Sequence, residues 1–322
     1  MRIDVHNHFM SRGLAQALEK FSEFPYSRFV DGAYRFYCHK ALTTPMTPEF
    51  YNVEKKIDDM DSNGIDVAVL SVSIPGPERV GGSKADELAK IINDELAEII
   101  AKRPKRFWGY ASPGFGNIDA SLKELDRCFS QLKFRGLGLF SNINGKPLDS
   151  PEFRPLFARL AELRRPTFVH PTIPINQSYL MDLIPVPVLS FTTDTTMAGM
   201  RLALSGMLSE YATAPIIIPH VGGMIPYLMG RLDGFAELMP QFSQLEEKPG
   251  QLLKKLYMDT VVYRLDELKW CFSIMGADHM LFGSDYPYGL WRRPIQMADE
   301  LPCGAKEREQ ILHGNAERLF LE

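Results

Sequence analysis

The chain has 322 residues, of which 45% are hydrophobic and 24% are charged, a composition typical of a globular protein with a sizeable core. Its formal net charge is -4 and it contains no block of like charges, which argues against a nucleic acid or an anionic membrane surface as a partner. No apolar stretch reaches the roughly 18 residues that a membrane span needs. We also expect no signal peptide, because a strand-like pattern begins at the first residues.

The cysteines indicate a reducing environment. The chain has four of them, and none forms a Cys-x-x-Cys pair or has a histidine at the spacing of a zinc finger. This distribution excludes a zinc finger and a small disulfide scaffold. We therefore expect a cytoplasmic protein. The four cysteines are Cys38, Cys128, Cys271 and Cys303.

Eight short segments rich in Val, Ile and Phe alternate with amphipathic helical segments along the chain. Eight such β/α repeats in a chain of this length predict an α/β fold of the (β/α)8 TIM-barrel type. The predicted helices include 49–63, 85–102, 118–132, 151–163, 195–211 and 225–238. The predicted strands are 3–8, 67–73, 107–113, 136–140, 167–170, 216–220, 256–260 and 280–285.

A doubly wound sheet is the alternative fold for such an alternation of strands and helices. Its best support is the pair Gly136 and Gly138, which begins like a dinucleotide-binding fingerprint. The third glycine position holds Ser141, however, and no helix begins there, so the fingerprint fails. The barrel is therefore the preferred prediction.

One connection is much longer than the others. Residues 9–48 separate the first predicted strand from the first clear helix, whereas loops after barrel strands usually have roughly 2–6 residues. The segment is rich in aromatic residues and contains Arg28, Arg35 and His39. We therefore expect one domain over residues 1–322, in which residues 9–48 form a small lid over the barrel mouth.

Several residues that can bind a metal lie at the ends of predicted strands. His6 and His8 are two residues apart, so their side chains project from the same face of the first strand. Three other strands end in His170, His220 and Asp285. The carboxyl ends of barrel strands meet at the face where the active sites of this fold lie. A single such histidine is more often structural, but four of the seven histidines fall at strand ends, and this pattern predicts a metal centre.

Imidazole and carboxylate ligands favour a divalent transition metal. We expect zinc, with manganese or iron as alternatives. A second ion would need a bridging ligand such as a carboxylated lysine at the end of the fourth strand, but Lys133 precedes that strand. The sequence therefore predicts a single metal ion.

Five motifs surround these residues and span nearly the whole chain. They are Asp4-Val-His6-Asn-His8, Phe168-Val-His170-Pro, Pro219-His220-Val-Gly-Gly223, Gly283-Ser-Asp285-Tyr-Pro287 and Gly314-Asn-Ala-Glu-Arg-Leu-Phe320. In this order they resemble the amidohydrolase superfamily, and within it the decarboxylase branch typified by aminocarboxymuconate-semialdehyde and γ-resorcylate decarboxylases. The resemblance implies that His220 acts on the substrate or on a water molecule. It also implies a set of metal ligands, namely His6, His8, His170 and Asp285.

The resemblance further implies side chains that contact the substrate. Arg35 resembles an arginine of the insertion that holds a substrate carboxylate. His39 stands where the muconate-semialdehyde enzymes carry a second arginine, which argues against a dicarboxylate, and it is either a substrate contact or a surface residue. Arg231 resembles an arginine that such enzymes extend into the neighbouring active site, so we expect a homodimer. Phe191 and Tyr288 are the expected aromatic contacts.

Two activities fit such a site. In a decarboxylase, the metal polarises the conjugated acid while Asp285 or His220 delivers a proton to the carbon. In a hydrolase of an amide, ester or lactone, the same metal activates a water molecule. The aromatic residues and arginine of the insertion suit a flat, anionic substrate, so we predict a carboxy-lyase for an aromatic or unsaturated carboxylic acid. A non-catalytic barrel is disfavoured because every ligand position is intact.

Overall fold

Eight parallel strands form a single sheet in the computed structural model, which describes residues 1–174, 183–245 and 247–321. The order of the strands in the sheet follows their order in the chain. The sheet closes on itself, because the amides of Val5 and His8 donate hydrogen bonds of 2.9 Å to the carbonyls of Phe282 and Tyr286. The strands are Ile3–Phe9, Val67–Val72, Phe107–Ala111, Gly136–Phe140, Thr167–His170, Ile216–Ile218, Tyr257–Asp259 and Met280–Leu281.

This arrangement confirms the predicted TIM barrel and excludes the doubly wound sheet, whose strand order would reverse at a switch point. The sixth and eighth strands are shorter than predicted. The backbone leaves the strand conformation beyond each of them, and His220 and Asp285 have left-handed φ angles of 57° and 62°. Both residues therefore lie just after their strands, at the carboxyl face of the barrel.

The six predicted helices are present, with two differences. The first is interrupted at Asn52, whose side chain accepts a hydrogen bond from Lys55 N and caps a second helix. Another begins earlier than predicted, at Ser190, and ends before Gly206, whose φ of 82° requires a glycine. The helices are Arg12–Leu18, Pro48–Tyr51, Val53–Ser62, Gly82–Lys102, Ile118–Ser130, Arg154–Leu163, Ser190–Leu204, Met207–Glu210, Ile225–Ala236, Pro249–Leu253, Leu265–Met275, Arg292–Glu300, Ala305–Glu309 and Asn315–Leu321.

The core has two parts. A large cluster fills the space between the strands and the surrounding helices, and a smaller one, which includes Val5, Tyr110 and Phe168, fills the barrel interior. The register between the first two strands shifts after Asp4. After this bulge, the ring of His6 packs against Phe168 of the interior cluster, and the two ring centroids are 4.8 Å apart. The bulge thus directs His6 toward the interior.

The long insertion contains the helix Arg12–Leu18 and an antiparallel sheet of three strands, Tyr26–Val30, Ala33–His39 and Leu42–Pro45. Phe36 and Cys38 are buried under this small sheet, whereas Arg35 is exposed on its opposite face. The role of residues 9–48 as a lid stays a prediction. Among the described residues, no helix has both the length and the apolar character to cross a membrane.

Candidate metal centre and active site

Four predicted ligands converge at the carboxyl face of the barrel. His6, His8, His170 and Asp285 are buried, and each offers a ligand atom within 4.8 Å of the others. The Nε2 atoms of His6 and His8 are 3.1 Å apart. Asp285 Oδ1 lies 3.2 Å from each of these two nitrogens. Three imidazoles and a carboxylate thus surround one point, the arrangement of a mononuclear metal site.

The outer nitrogen of each imidazole is held in place. His8 Nδ1 lies 3.0 Å from Ser71 Oγ, and His170 Nδ1 lies 2.8 Å from the carbonyl oxygen of Pro171. Partners of this kind fix the ring orientation and its tautomer. The Nε2 atoms of both rings are therefore left to face the centre of the cluster.

Asp259 holds His6 and was not identified from the sequence. Its Oδ2 lies 2.6 Å from His6 Nδ1, and both side chains are fully buried. Its Oδ1 accepts a hydrogen bond of 3.0 Å from the amide of Val261, which fixes the carboxylate. Asp259 could have been found from its position near the end of the seventh predicted strand, because the predicted ligands also lie at the ends of strands.

Lys56 is a second residue that sequence reasoning missed. It is buried on the helix Val53–Ser62, and its Nζ donates hydrogen bonds to the carbonyl of His8 at 2.9 Å and to Asn7 Oδ1 at 3.1 Å. The ammonium group also lies 4.2 Å from the ring centroid of Tyr286. Lys56 therefore supports the backbone of the first strand from outside the barrel.

The protonation of the cluster suits a bound cation. Burial lowers the pKa of His8 to about 4 and that of His170 well below its usual value, so both rings are neutral at pH 7. Burial acts against ionisation of Asp285, but the charge on His6 and the hydrogen bonds from His220, His6 and His8 together outweigh it and hold the pKa of Asp285 well below its usual value. Burial also opposes a charge on His6, yet Asp285 and Asp259 raise its pKa to about 10. The two carboxylates thus draw positive charge to the place where a divalent ion would bind.

His220 lies beside the four ligands, with its Nε2 3.8 Å from Asp285 Oδ2. Its side chain is 19% exposed, whereas those of His6 and His8 are completely buried. His220 and Val221 have left-handed φ angles of 57° and 50°, which are unfavourable for these residue types. This strained turn directs the His220 imidazole toward the open side of the cluster, where a substrate would bind.

Aromatic rings form walls around the cluster. The ring centroid of Tyr288 is 5.4 Å from that of His8, and those of Phe140 and Phe191 are 6.2 Å and 6.5 Å from that of His170. Tyr288 Oη also shares a hydrogen bond with a serine hydroxyl of the loop after the second strand. The predicted contacts Phe191 and Tyr288 therefore lie next to the metal ligands.

The other three predicted substrate contacts lie apart from the cluster. Arg35 is exposed, and His39 Nδ1 accepts a hydrogen bond of 3.2 Å from the amide of Ala41. Arg231 is exposed on the helix Ile225–Ala236, with its guanidinium 4.9 Å from the ring centroid of Phe235. Within the described part of this single chain, no hydrogen bond, ion pair or ring contact joins these side chains to the ligands.

Comparison with known proteins agrees with this geometry. The model of the amidohydrolase family matches residues 3–321. The chain is 31% identical over 276 residues to γ-resorcylate decarboxylase of Rhizobium sp. (strain MTP-10005), which covers 81% of this chain and 84% of the relative. It is 30% identical over 292 residues to 6-methylsalicylic acid decarboxylase of Penicillium expansum, which covers 89% of this chain and 85% of the relative.

Solved structures share the same barrel. The structure of 5-carboxyvanillate decarboxylase from Novosphingobium aromaticivorans, complexed with manganese and 4-hydroxy-3-methoxy-5-nitrobenzoic acid, aligns with a TM-score of 0.85 at 23% identity. The alignment covers 100% of this chain and 96% of that chain. The family predicted from the five motifs is thereby confirmed, and the chain belongs to the amidohydrolase family.

Proposed function

We propose that this protein is a metal-dependent decarboxylase that releases carbon dioxide from an aromatic carboxylic acid. The observation that carries the proposal is the buried cluster of His6, His8, His170 and Asp285, with His220 next to it on the open side. The two relatives described above, at 30% and 31% identity, are decarboxylases of aromatic acids, and the matches extend over most of both chains. The aromatic walls suit a flat ring.

The cluster is a site for a single divalent metal ion, and we propose that the ion is zinc. Imidazole and carboxylate ligands suit zinc, as they suit manganese and iron. When bound, the ion supplies positive charge that polarises an oxygen next to the scissile carboxylate. Metal analysis of protein purified without added metal identifies the resident ion.

The side chains around the cluster are proposed to transfer the proton and to bind the aromatic ring. Loss of carbon dioxide breaks the bond between the ring carbon and the carboxyl carbon, and the electron pair left on the ring carbon takes up a proton. We assign that proton to Asp285 or His220, and the proposal is supported by their position next to each other beside the cluster. Phe191 and Tyr288 would hold the ring between them.

The homodimer is part of this proposal. The helix Ile225–Ala236 and the turn after it expose an apolar stripe in which Tyr227 is 73% exposed, Phe235 is 40% exposed and Leu238 is 77% exposed. Monomeric proteins rarely leave such rows of large apolar side chains in water. Arg231 lies within the stripe, between Tyr227 and Phe235. We propose that two copies pair through this stripe and that Arg231 reaches the substrate carboxylate in the partner's site.

The insertion is proposed as the lid of the site. Thr44, on the third strand of the small sheet, is buried and hydrogen-bonds to Tyr288, which stands beside His8. The buried face of the small sheet therefore adjoins the aromatic wall. Arg35 and His39 remain proposed substrate contacts, to be tested by the effect of Arg35→Ala and His39→Ala on KM.

A cytoplasmic location is proposed as well. All four cysteines are free, and three of them are buried. Burial raises the pKa of Cys38 and of Cys271 to about 12, which keeps these thiols protonated and unreactive. Free thiols in these positions are compatible with a reducing compartment.

Product analysis distinguishes the decarboxylase from the hydrolase alternative. Metal-loaded wild-type protein and the His220→Asn variant are assayed for carbon dioxide release from hydroxybenzoates, methoxybenzoates and unsaturated acids. The same samples are assayed for hydrolysis of esters, lactones and amides. Metal-dependent carbon dioxide release that the variant lacks supports the proposal. Hydrolysis without any carbon dioxide release would overturn it.

A further inference from the structure

Asp194 is a buried acid at the active face of the barrel that the proposed reaction does not use. It lies on the helix Ser190–Leu204, and only 4% of the residue is exposed. Its Oδ2 accepts a hydrogen bond from Ser141 Oγ and another, of 2.8 Å, from Asn142 Nδ2. Both of these residues come directly after the fourth barrel strand. The carboxylate therefore joins this helix to the loop after the fourth strand.

Ser141 connects the carboxylate to the segment that carries His170. Its amide donates a hydrogen bond of 2.8 Å to the carbonyl of His170, and its Oγ accepts one of 3.1 Å from the amide of Thr172. The residue between them, Pro171, has no N–H group, so Ser141 holds the backbone on both sides of it. The carbonyl oxygen of Pro171 lies 2.8 Å from His170 Nδ1. Ser141 thus fixes the acceptor that orients a predicted metal ligand.

The direction of the Ser141 hydroxyl depends on Asp194. A hydroxyl has one proton to donate and two lone pairs that accept. Because Ser141 Oγ accepts from the amide of Thr172, its proton needs a different partner, and Asp194 Oδ2 is that partner. A carboxylate only accepts, so the direction of this bond cannot reverse. Asp194 therefore keeps a lone pair of the hydroxyl directed at Thr172.

Two further contacts hold the same region together. The side-chain amide of Asn142 donates to Asp194 and also, at 3.0 Å, to the carbonyl of Ile173. Asp194 lies about one helical turn after Phe191, whose ring centroid is 6.5 Å from that of His170. The helix that carries Asp194 thus approaches His170 directly as well as through the loop after the fourth strand.

We propose that Asp194 is a positioning residue for the metal ligand His170. It acts through Ser141, which holds the Pro171 carbonyl that binds His170 Nδ1. The proton of the imidazole is thereby kept on Nδ1, and Nε2 is left to bind the ion. This inference rests on the proposed function, because His170 is one of its proposed ligands. It assigns part of the metal affinity to two side chains that are not ligands.

The affinity for zinc tests this role. Metal-free protein is titrated with zinc in competition with a coloured chelator. Ser141→Ala and Asp194→Leu should each weaken binding about tenfold, the lower end of the effect expected for outer partners of metal ligands. The double variant should bind zinc as each single variant does, because both changes break the same chain of contacts. Asp194→Asn keeps an acceptor oxygen for the Ser141 hydroxyl and should stay within about threefold of the wild type.

The tautomer of His170 is a readout that a general loss of stability would not change. Proton–nitrogen correlation spectra of metal-free protein with isotope-labelled histidines distinguish a protonated Nδ1 from a protonated Nε2, and His170→Gln identifies the signals of His170. The wild type should carry the proton on Nδ1 alone, since a carbonyl oxygen only accepts. Ser141→Ala and Asp194→Leu should show both tautomers. If Asp194→Leu does not fold, Asp194→Ala takes its place in both measurements.

Ser121 provides the matched control. It is also buried, and its Oγ accepts a hydrogen bond of 3.0 Å from the amide of Phe115, but it lies on the outer helix Ile118–Ser130. Ser121→Ala should leave the zinc affinity and the tautomer unchanged. Wild-type affinity or an unchanged tautomer in either Ser141→Ala or Asp194→Leu would overturn the proposal. Additive losses in the double variant would also overturn it, because Asp194 would then not act through Ser141.

The failure of the positioning role and the failure of the proposed function give different results. If the wild type releases carbon dioxide in a metal-dependent manner but the variants bind zinc as tightly as it does, the positioning role is wrong and the decarboxylase stands. If no acid releases carbon dioxide while both variants weaken zinc binding and mix the tautomers, the positioning role stands and the reaction is wrong.

Discussion

Asp259 Oδ2 lies 2.6 Å from His6 Nδ1, and neither side chain is exposed to water. The carboxylate closes the seventh barrel strand, and the imidazole belongs to the first. A carboxylate behind a ligating imidazole fixes the ring and makes its other nitrogen a better ligand. We therefore expect the affinity of the site for a metal ion to depend on Asp259, although this residue is not one of the predicted ligands.

Replacing Asp259 by asparagine should weaken metal binding about 10- to 100-fold, because loss of an outer partner of this kind costs that much affinity. The affinity is measured by titrating metal-free protein with a divalent ion in competition with a coloured chelator. Asp86→Asn is the control, since Asp86 also accepts a backbone hydrogen bond, from Gly116, but on an outer helix. Equal metal affinity of Asp259→Asn and the wild type would contradict the role assigned to Asp259.

His220→Asn should reduce kcat by at least about 100-fold if His220 carries the proton, while the metal content per chain stays the same. Metal analysis and turnover are measured on the same sample. His313→Asn serves as the control, because His313 pairs with Glu317 on an outer helix. Turnover close to that of the wild type would remove His220 from the reaction, and loss of the metal would make it a ligand instead.

Two inactive variants should restore each other's activity if Arg231 acts across a dimer. In a mixed dimer of Arg231→Ala and His220→Asn, one site has an intact histidine and receives an intact arginine from the other copy. Random pairing of equal amounts should then recover about one quarter of the wild-type activity. The two proteins are mixed under conditions that exchange subunits, and the activity is followed over time. Arg231 acts within its own chain if no activity returns although mass spectrometry of the intact dimers shows that mixed dimers have formed.

The stability of the protein should depend on Glu78 as the pH rises. Burial raises the pKa of Glu78 from 4.5 to about 7, although Arg79 acts against this. The folded state therefore binds more protons than the unfolded state between these values, and the free energy of unfolding falls as the pH increases through this range. At roughly 1.4 kcal/mol per pKa unit, the loss amounts to about 3 kcal/mol and is complete above about pH 7.

Glu78→Gln should abolish this loss. Urea unfolding of the variant and the wild type is compared at about pH 5 and about pH 8. The variant should gain stability relative to the wild type at the higher pH by about 3 kcal/mol. A difference between the two proteins that is the same at both pH values would show that Glu78 titrates normally.

The fold was predictable because its signals are local. Apolar runs such as 67–73 and 167–170 stand between amphipathic helices, and each forms a strand covered on both faces. The ends of strands were less predictable. The sixth and eighth strands end before His220 and Asp285, because these residues adopt left-handed backbone that depends on contacts across the barrel.

The convergence of the predicted ligands could be inferred from the sequence because histidines are few and fall at or just after strand ends, whereas the residues that support them could not be identified. Asp259 is one of 40 acidic residues, and its contact with His6 joins parts of the chain 253 positions apart. Lys56 lies in a helical segment rich in charged residues, a pattern that predicts a solvent-exposed side chain. Glu78 stands in a loop whose glycine and prolines predict a turn but not burial. Each of these roles depends on long-range packing that no local pattern contains.

Metal-dependent decarboxylation is tested most directly by measuring the release of carbon dioxide as a function of bound metal. Metal-free protein is titrated with a divalent ion in the presence of a hydroxybenzoate that the wild-type protein decarboxylates. Activity should rise in proportion to bound metal and stop rising at one ion per chain, and His170→Ala should remain inactive and metal-free. Full activity without metal, or a rise that continues to two ions per chain, would contradict a mononuclear centre on His6, His8, His170 and Asp285.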